Sequence, residues 1–251
     1  MSKDIRTKDN FSDKELNRRQ KMMGLFDKNP IPSEEVLGNL GLFIPKTEFS
    51  RMLYLHELYQ KQLAVPGVIM EFGVRWGQNM ALYEAFRGIY EPFNWTRKII
   101  GFDTFEGFPS VAKEDGDASI IAEGSYGVTE NYQEYLQELL QLREQEGVQL
   151  EKARFQLVAG DASVTIKEYL QEHPETIISM AYFDFDIYQP TKDCLEAIKP
   201  YLTKGSVIAF DELNHPDFPG ETVAVREVFG LDKYKLIHTT FSGARSYLVV
   251  E

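Results

Sequence analysis

The sequence holds one cysteine, Cys194, in 251 residues. A lone thiol closes no intramolecular disulfide, so a stapled scaffold is excluded and a reducing, cytoplasmic setting is expected. No apolar stretch reaches the roughly 18 residues that a bilayer crossing needs. The opening MSKDIRTKDN lacks the apolar centre of a secretory leader. Membrane association is therefore not expected. Positive charge is also scarce: 27 lysines and arginines stand against 39 aspartates and glutamates, a net charge of -12. Such a surface repels phosphate backbones, and no local basic patch offsets it, so nucleic acid is not an expected partner. The four histidines, His56, His173, His215 and His238, are scattered and form no zinc-like cluster with the single cysteine. Internal repeats and low-complexity tracts are absent.

What is present is an ordinary globular composition, 43% apolar and 26% charged, at a length that suits one α/β core with insertions. Residues 1–46 read as an N-terminal extension. Its cluster of Met22, Met23, Leu25 and Phe26 either docks on a partner subunit, giving a homo-oligomer, or frays. Residues 47–251 read as the main domain. Phe49, Met52, Leu55 and Tyr59 recur at helical spacing over 47–63, and Pro66-Gly67 then breaks the pattern. Short apolar runs at 67–72, 98–102, 155–158, 177–183 and 206–210 predict strands. Between and after them, 80–86, 133–143, 164–170, 191–202 and 223–229 predict helices. Residues 107–128 are polar, glycine-containing and without period, which predicts a substrate loop or mobile lid. Two final strands, 234–238 and 246–250 with Gly243 between them, predict an antiparallel hairpin on the sheet edge. The alternation predicts a doubly wound, mostly parallel α/β sheet of Rossmann-like form.

In such a sheet, ligands bind beyond the carboxyl ends of the strands. Glu71, Asp103, Asp161, Asp184, Asp186, Asp211 and Glu212 all fall at or near those ends. The first turn reads Glu71-x-Gly73-x-x-x-Gly77, which lets a ligand approach the backbone closely. It lacks the G-x-G-x-x-G spacing of a pyrophosphate cradle, so a cofactor without phosphates fits better. Asp103 is placed to accept both hydroxyls of a ribose, and Asp161 an adenine amino group. Singly, each reads as a solvated acid or a helix cap; together, after consecutive strands, they read as a site. Asp184, Asp186, Asp211 and Glu212 in one crevice would not all stay ionised without a cation or raised pKa values. Oxygen-only donors favour Mg²⁺ or a similar ion over zinc. Trp76 and Tyr188 flank the crevice and either pack or contact a bound cation. Cys194 reads as a buried structural thiol.

Four segments resemble the macrocin O-methyltransferase type of class I methyltransferases. They are Val68-Ile-Met-Glu71-Phe-Gly73-Val-Arg-Trp-Gly77, Phe102-Asp103-Thr104-Phe105-Glu106-Gly107-Phe108-Pro109, Asp184-Phe-Asp186-Ile-Tyr188 and Asp211-Glu212. The resemblance runs from about residue 47 onward. It implies bound S-adenosylmethionine, held around Glu71, Gly73, Val74, Arg75, Gly77, Asp103, Thr104, Phe105, Asp161, Ala162, Asp184 and Tyr188. It also implies a magnesium-like ion and a sugar hydroxyl as acceptor, on a nucleotide-linked deoxysugar or a glycosylated natural product. The family commonly shows two aspartates where this chain has Asp211-Glu212, which leaves His215 or Asn214 as an alternative to Glu212. Methyl transfer is an in-line displacement that needs an aligned, activated hydroxyl. Asp184, Asp211 and Glu212 are the expected ligands and Asp186 the expected base, with Asp184 and Asp186 exchangeable. The motif Asp184-Phe-Asp186 also admits a magnesium-dependent aspartate phosphohydrolase. A third reading is a non-catalytic nucleoside-binding partner protein.

Overall fold

The computed structural model describes residues 12–148 and 153–251; the opening MSKDIRTKDN, read above for a secretory leader, lies outside the described residues. An N-terminal arm of α1 (Asp13–Asp27) and α2 (Ser33–Val36) leads into α3 (Lys46–Gln62). Strands and helices then alternate: β1 (Val68–Phe72), α4 (Gln78–Tyr90), β2 (Ile99–Asp103), α5 (Tyr132–Glu144), β3 (Phe155–Ala159), α6 (Ala162–Glu172), β4 (Ile178–Phe183), α7 (Tyr188–Ile198), β5 (Leu202–Phe210) and α8 (Gly220–Val228). The hairpin β6 (Ile237–His238) and β7 (Ser246–Val249) completes a seven-stranded sheet of order β3-β2-β1-β4-β5-β7-β6. Strands β1 to β5 are parallel and β7 pairs antiparallel with β5. The doubly wound sheet and its antiparallel edge hairpin are thus as the alternation predicts.

Parallel strands covered on both faces read as continuous apolar runs, and every residue of β1 and β4 is buried. One row of side chains sets their register. Phe102, Phe72, Phe183 and Phe210 stand opposite one another on β2, β1, β4 and β5. Their rings stack with centroids 5.1, 4.6 and 5.5 Å apart. Such pairs contribute about 0.5 to 1.5 kcal/mol each beyond their buried area. The row has a consequence for the next residue on each strand. Gly73, Asp184 and Asp211 donate their backbone N–H groups to Phe102, Phe72 and Phe183 at 3.0, 2.8 and 3.1 Å. The functional row is therefore pinned one step past the phenylalanines.

Around the sheet, α3 buries Tyr54, Leu55, Leu58, Tyr59 and Gln62 on one face. Helix α6 starts on Asp161, whose side chain accepts the Ser163 N–H. Helix α7 begins at Tyr188, three residues before the expected start, because Pro190 sits in its first turn, where the missing N–H breaks no intrahelical bond. It ends at Ile198 rather than 202: a 3₁₀ turn over Lys199–Tyr201, with Pro200 inside, hands the chain to β5. The segment between β2 and α5 carries no helix or strand beyond a 3₁₀ turn at Lys113–Asp115. Buried Asp115 fastens it, accepting the backbone N–H groups of Ala112 and Tyr188. Helix α1 buries no residue, and Met23, Leu25, Leu37 and Leu42 are exposed along the arm.

Candidate active site

A cleft opens over the carboxyl ends of β1, β2, β3, β4 and β5. Of the residues named from the sequence, Gly73, Val74, Arg75, Asp103, Thr104, Asp161, Ala162, Asp184, Asp186, Asp211 and Glu212 line it. Glu71, Gly77, Phe105 and Tyr188 do not. Glu71 lies buried below the floor, its carboxyl pushed well above the usual range by burial and then by the charge of Asp184. Gly77 caps α4 in the left-handed conformation at φ 75°, and a Cβ there would meet the Leu136 methyls of α5 at 2.5 Å. Its bareness thus serves helix packing. Gly73 admits the cleft wall: at φ 97°, a Cβ would meet the Asp184 carbonyl oxygen at 2.2 Å, so only glycine lets β1 and β4 converge here. Tyr188 packs between α7 and α8, its hydroxyl donating to Glu227 at 2.8 Å. Trp76 is more than a third exposed and meets Tyr132 edge-on at 4.7 Å. Cys194 is buried and free, as expected.

Asp103 is held from both sides. Its Oδ2 accepts the Arg75 N–H at 2.7 Å and its Oδ1 the Phe105 N–H at 2.6 Å. Burial raises its pKa, opposed by those same backbone groups. A carboxylate has about four acceptor directions, so each oxygen keeps capacity toward the cleft, which suits a vicinal diol. Asp161 uses Oδ1 to cap α6 at 2.9 Å. The cap and the ligand contact are compatible, since its second oxygen is uncommitted to the cap.

The acids of β4 and β5 are in excess. Asp184 is raised to about 6 by burial and by Asp211, and Arg51 opposes that shift through an ion pair. Asp186 sits at φ 62° and is pushed well above the carboxylate range by burial, then by Asp184, Glu212 and Asp211. Glu221, fully buried, is driven the same way by burial and Asp186 while accepting the Glu212 N–H at 3.1 Å. Asp211 goes the other way. Although buried, it is held below the usual range by Arg51 and by Arg245, which grips it through Nε at 2.6 Å and Nη2 at 3.2 Å, with the Tyr182 hydroxyl donating to Oδ1. The sequence predicts a cation or raised pKa values for these acids; both guanidinium pairing and raised pKa values are found here. Among the described residues, no three acidic, histidine or cysteine side chains converge tightly enough to ligate an ion. His215 is not among the residues that line the cleft: its Nδ1 accepts the Asp217 N–H at 3.2 Å, and its Nε2 lies 3.9 Å from Glu212, which does line it.

Sequence reasoning missed Arg51, Arg245, Tyr182 and Glu221. For Arg51 a signal existed. It stands three and four positions before Tyr54 and Leu55, on the buried face of α3, where a charge has no reason to be unless something pairs with it. Arg245, in the turn before β7, carries no such mark.

The chain's sequence matches the profile of the macrocin-O-methyltransferase (TylF) family over residues 47–227. It belongs to that family. The structure of CalS11, a calicheamicin methyltransferase, is similar at 44% identity and TM-score 0.93, covering 98% of this chain and 96% of that one. The apo structure of CalS11, described as a TDP-rhamnose 3'-O-methyltransferase, matches at 41% identity and TM-score 0.82, covering 97% of each. The O-methyltransferase NovP, at 19% identity and TM-score 0.59 over 80% of this chain and 79% of that one, shares the fold. No curated protein sequence matches. As a TylF-family member the chain is a class I, S-adenosylmethionine-dependent O-methyltransferase. The phosphohydrolase reading of Asp184-Phe-Asp186 and the reading of the chain as a non-catalytic nucleoside-binding partner accordingly fall away. No described helix is long and apolar enough to cross a membrane.

Proposed function

We propose that this TylF-family enzyme methylates a sugar hydroxyl, on a nucleotide-linked deoxysugar or a glycosylated natural product. The observation that carries the reading is the 44% identity to CalS11 across nearly the whole of both chains, whose apo structure is described as acting on TDP-rhamnose. The cleft supports it. Asp103 would receive the donor's ribose hydroxyls and Asp161 the adenine amino group, with Gly73, Val74, Thr104 and Ala162 walling the nucleoside. Glu71, Gly77, Phe105 and Tyr188 would act from behind that wall, by shaping it.

In the transfer, the acceptor oxygen forms a bond to the methyl carbon as the carbon–sulfur bond breaks. The electron pair goes to sulfur and leaves S-adenosylhomocysteine; the hydroxyl proton goes to Asp186. Its raised pKa is the direction that makes a carboxylate a stronger base. A hard divalent ion such as Mg²⁺ would answer the surplus of acid over guanidinium, although no three of the described carboxylates converge on one point as they stand. Asp184, Asp211 and Glu212 would hold it, Arg51 yielding its place at Asp184. Such an ion, when bound, lowers the pKa of a coordinated hydroxyl and orients it. Residues 107–128 would close over the acceptor as a lid fastened at Asp115. The exposed apolar arm suits burial against a second copy, and the lone buried thiol suits the cytoplasm.

The test is transfer of labelled methyl from S-adenosylmethionine to TDP-rhamnose, with and without chelator. Labelled product is expected with Mg²⁺ and none in excess chelator. Undiminished turnover in chelator removes the ion from the reaction. Cofactor binding without product on any nucleotide-linked or glycosidic sugar removes the sugar.

A further inference from the structure

Of the arginines that line the cleft, Arg75 is the one that, among the described residues, makes no direct ion pair with an acid, although Asp184 and Asp186 act on it at longer range. Arg51 is paired with Asp184 and Arg245 with Asp211. Arg75 also lines the cleft, yet among the described residues its guanidinium has neither a carboxylate nor a hydrogen-bond partner. It is held between two aromatic faces, its Cζ 5.7 Å from the Trp76 ring centroid and 5.1 Å from that of Tyr126. Its buried Nε has no hydrogen-bond partner. Burial lowers its pKa, the signature of a charge that has lost water.

Two further observations mark the position as built. Arg75 and Tyr126 both adopt left-handed backbone, at φ 47° and 62°. For residues other than glycine that conformation is disfavoured and persists only where the surroundings impose it. Trp76, in turn, meets Tyr132, and Tyr132 meets Tyr135 at 5.6 Å. Trp76 and Tyr135 are well exposed. A run of rings thus leads from Arg75 out to solvent. The neighbourhood is otherwise acidic: Asp103, Asp161, Asp184, Asp186, Asp211 and Glu212 share the cleft. That field repels a phosphate-bearing acceptor unless one cation is kept free to receive it. S-adenosylmethionine carries no phosphate and does not need one.

We propose that Arg75 is the phosphate handle for the acceptor: it receives the pyrophosphate of a nucleotide-linked sugar, while the Trp76, Tyr132 and Tyr135 rings offer a stacking surface for the base. This rests on the sugar-methylation reading and sharpens it, selecting the nucleotide-linked acceptor over the glycosylated product. An arginine held by stacking presents its N–H fork in a fixed orientation, which suits two phosphate oxygens.

Thymidine diphosphate is the probe. Its affinity, measured by calorimetry with S-adenosylhomocysteine saturating, is compared in wild type, Arg75→Asn and Arg75→Lys. Asparagine removes the charge and tolerates the left-handed backbone, and melting temperatures check that each variant folds. Arg75→Asn is expected to weaken the probe by about tenfold or more, as loss of one charge-assisted contact implies, with lysine intermediate. KM for TDP-rhamnose rises in step, more than kcat falls, and S-adenosylhomocysteine binds as before. Equal affinity for the probe in wild type and Arg75→Asn overturns the handle while leaving the nucleotide-linked acceptor in place. Weakened S-adenosylhomocysteine with unchanged probe affinity overturns it by assigning Arg75 to the donor. A wild type that ignores the probe and methylates a phosphate-free glycoside overturns both the handle and the nucleotide-linked acceptor.

Discussion

Buried charges gather at both ends of this sheet, and the two gatherings differ in balance. At the amino ends of β1, β2 and β3, arginine predominates. Arg97, about 1% exposed, donates to the carbonyls of Val65 and Gly67 at 2.9 and 2.6 Å and to Glu91 at 3.0 Å. Arg87 donates to the carbonyls of Arg97 and Arg154 and pairs with Glu144. Glu91, despite burial, is held below the ordinary carboxylate range by hydrogen bonds from Arg97, Tyr59 and Asn94. At the carboxyl ends acid predominates, Asp184, Asp186 and Glu221 are raised, and Arg75, Tyr126 and Asp186 have left-handed backbone. The same residue types make a clasp at one end and a reactive cleft at the other. Burial of charge does not mark a site; uncompensated charge in strained surroundings does.

Replacing one charge at each end separates the two roles. The largest effect is expected from Asp186→Asn, which removes the proposed base and suits the left-handed backbone at that position. Methyl transfer should fall by about 10² to 10⁴-fold while the melting temperature holds or rises, because a disfavoured buried charge has gone. A variant that keeps its turnover would return the base to Asp184. Arg97→Met should do the reverse. Breaking a buried pair costs about 3 to 5 kcal/mol, seen as a lower urea midpoint, with kcat of the folded protein unchanged. A loss of kcat without loss of stability would dissolve the distinction between clasp and cleft.

The smallest effect tests the clasp's weakest member. Burial raises Glu84 to about 7, against the pull of Arg143 and Arg87. Because the folded pKa lies above the unfolded one, Glu84 contributes most favourably below pH 4.5, and that contribution is lost as pH rises toward 7. The melting temperature of Glu84→Gln relative to wild type should therefore climb between pH 5 and pH 8. A constant difference would place Glu84 among the fully compensated acids.

Much of the cleft was legible because its residues follow apolar runs. Phe102-Asp103, Phe183-Asp184 and Phe210-Asp211 repeat one pattern, a buried aromatic and then an acid, and the stacked phenylalanine row is its physical cause. The helix at α7 was misjudged at both ends, since Pro190 and Pro200 look alike in sequence and differ only in their distance from a helix start. The partners of the acids were not legible. Arg51 and Arg245 come from far-separated segments, and which charge meets which is decided by tertiary packing, not by local spacing. Nor does composition disclose that Asp186, rather than its neighbour Phe185, takes the left-handed turn.

The hairpin at the sheet edge has a consequence for how such a protein can change. Strand β7 pairs with β5, and the turn before it delivers the guanidinium that grips Asp211. The edge is therefore not a detachable border. A graft that exchanged it for the corresponding segment of a relative would carry part of the reaction centre along, so sheet closure and acid chemistry must be inherited, or engineered, as one module.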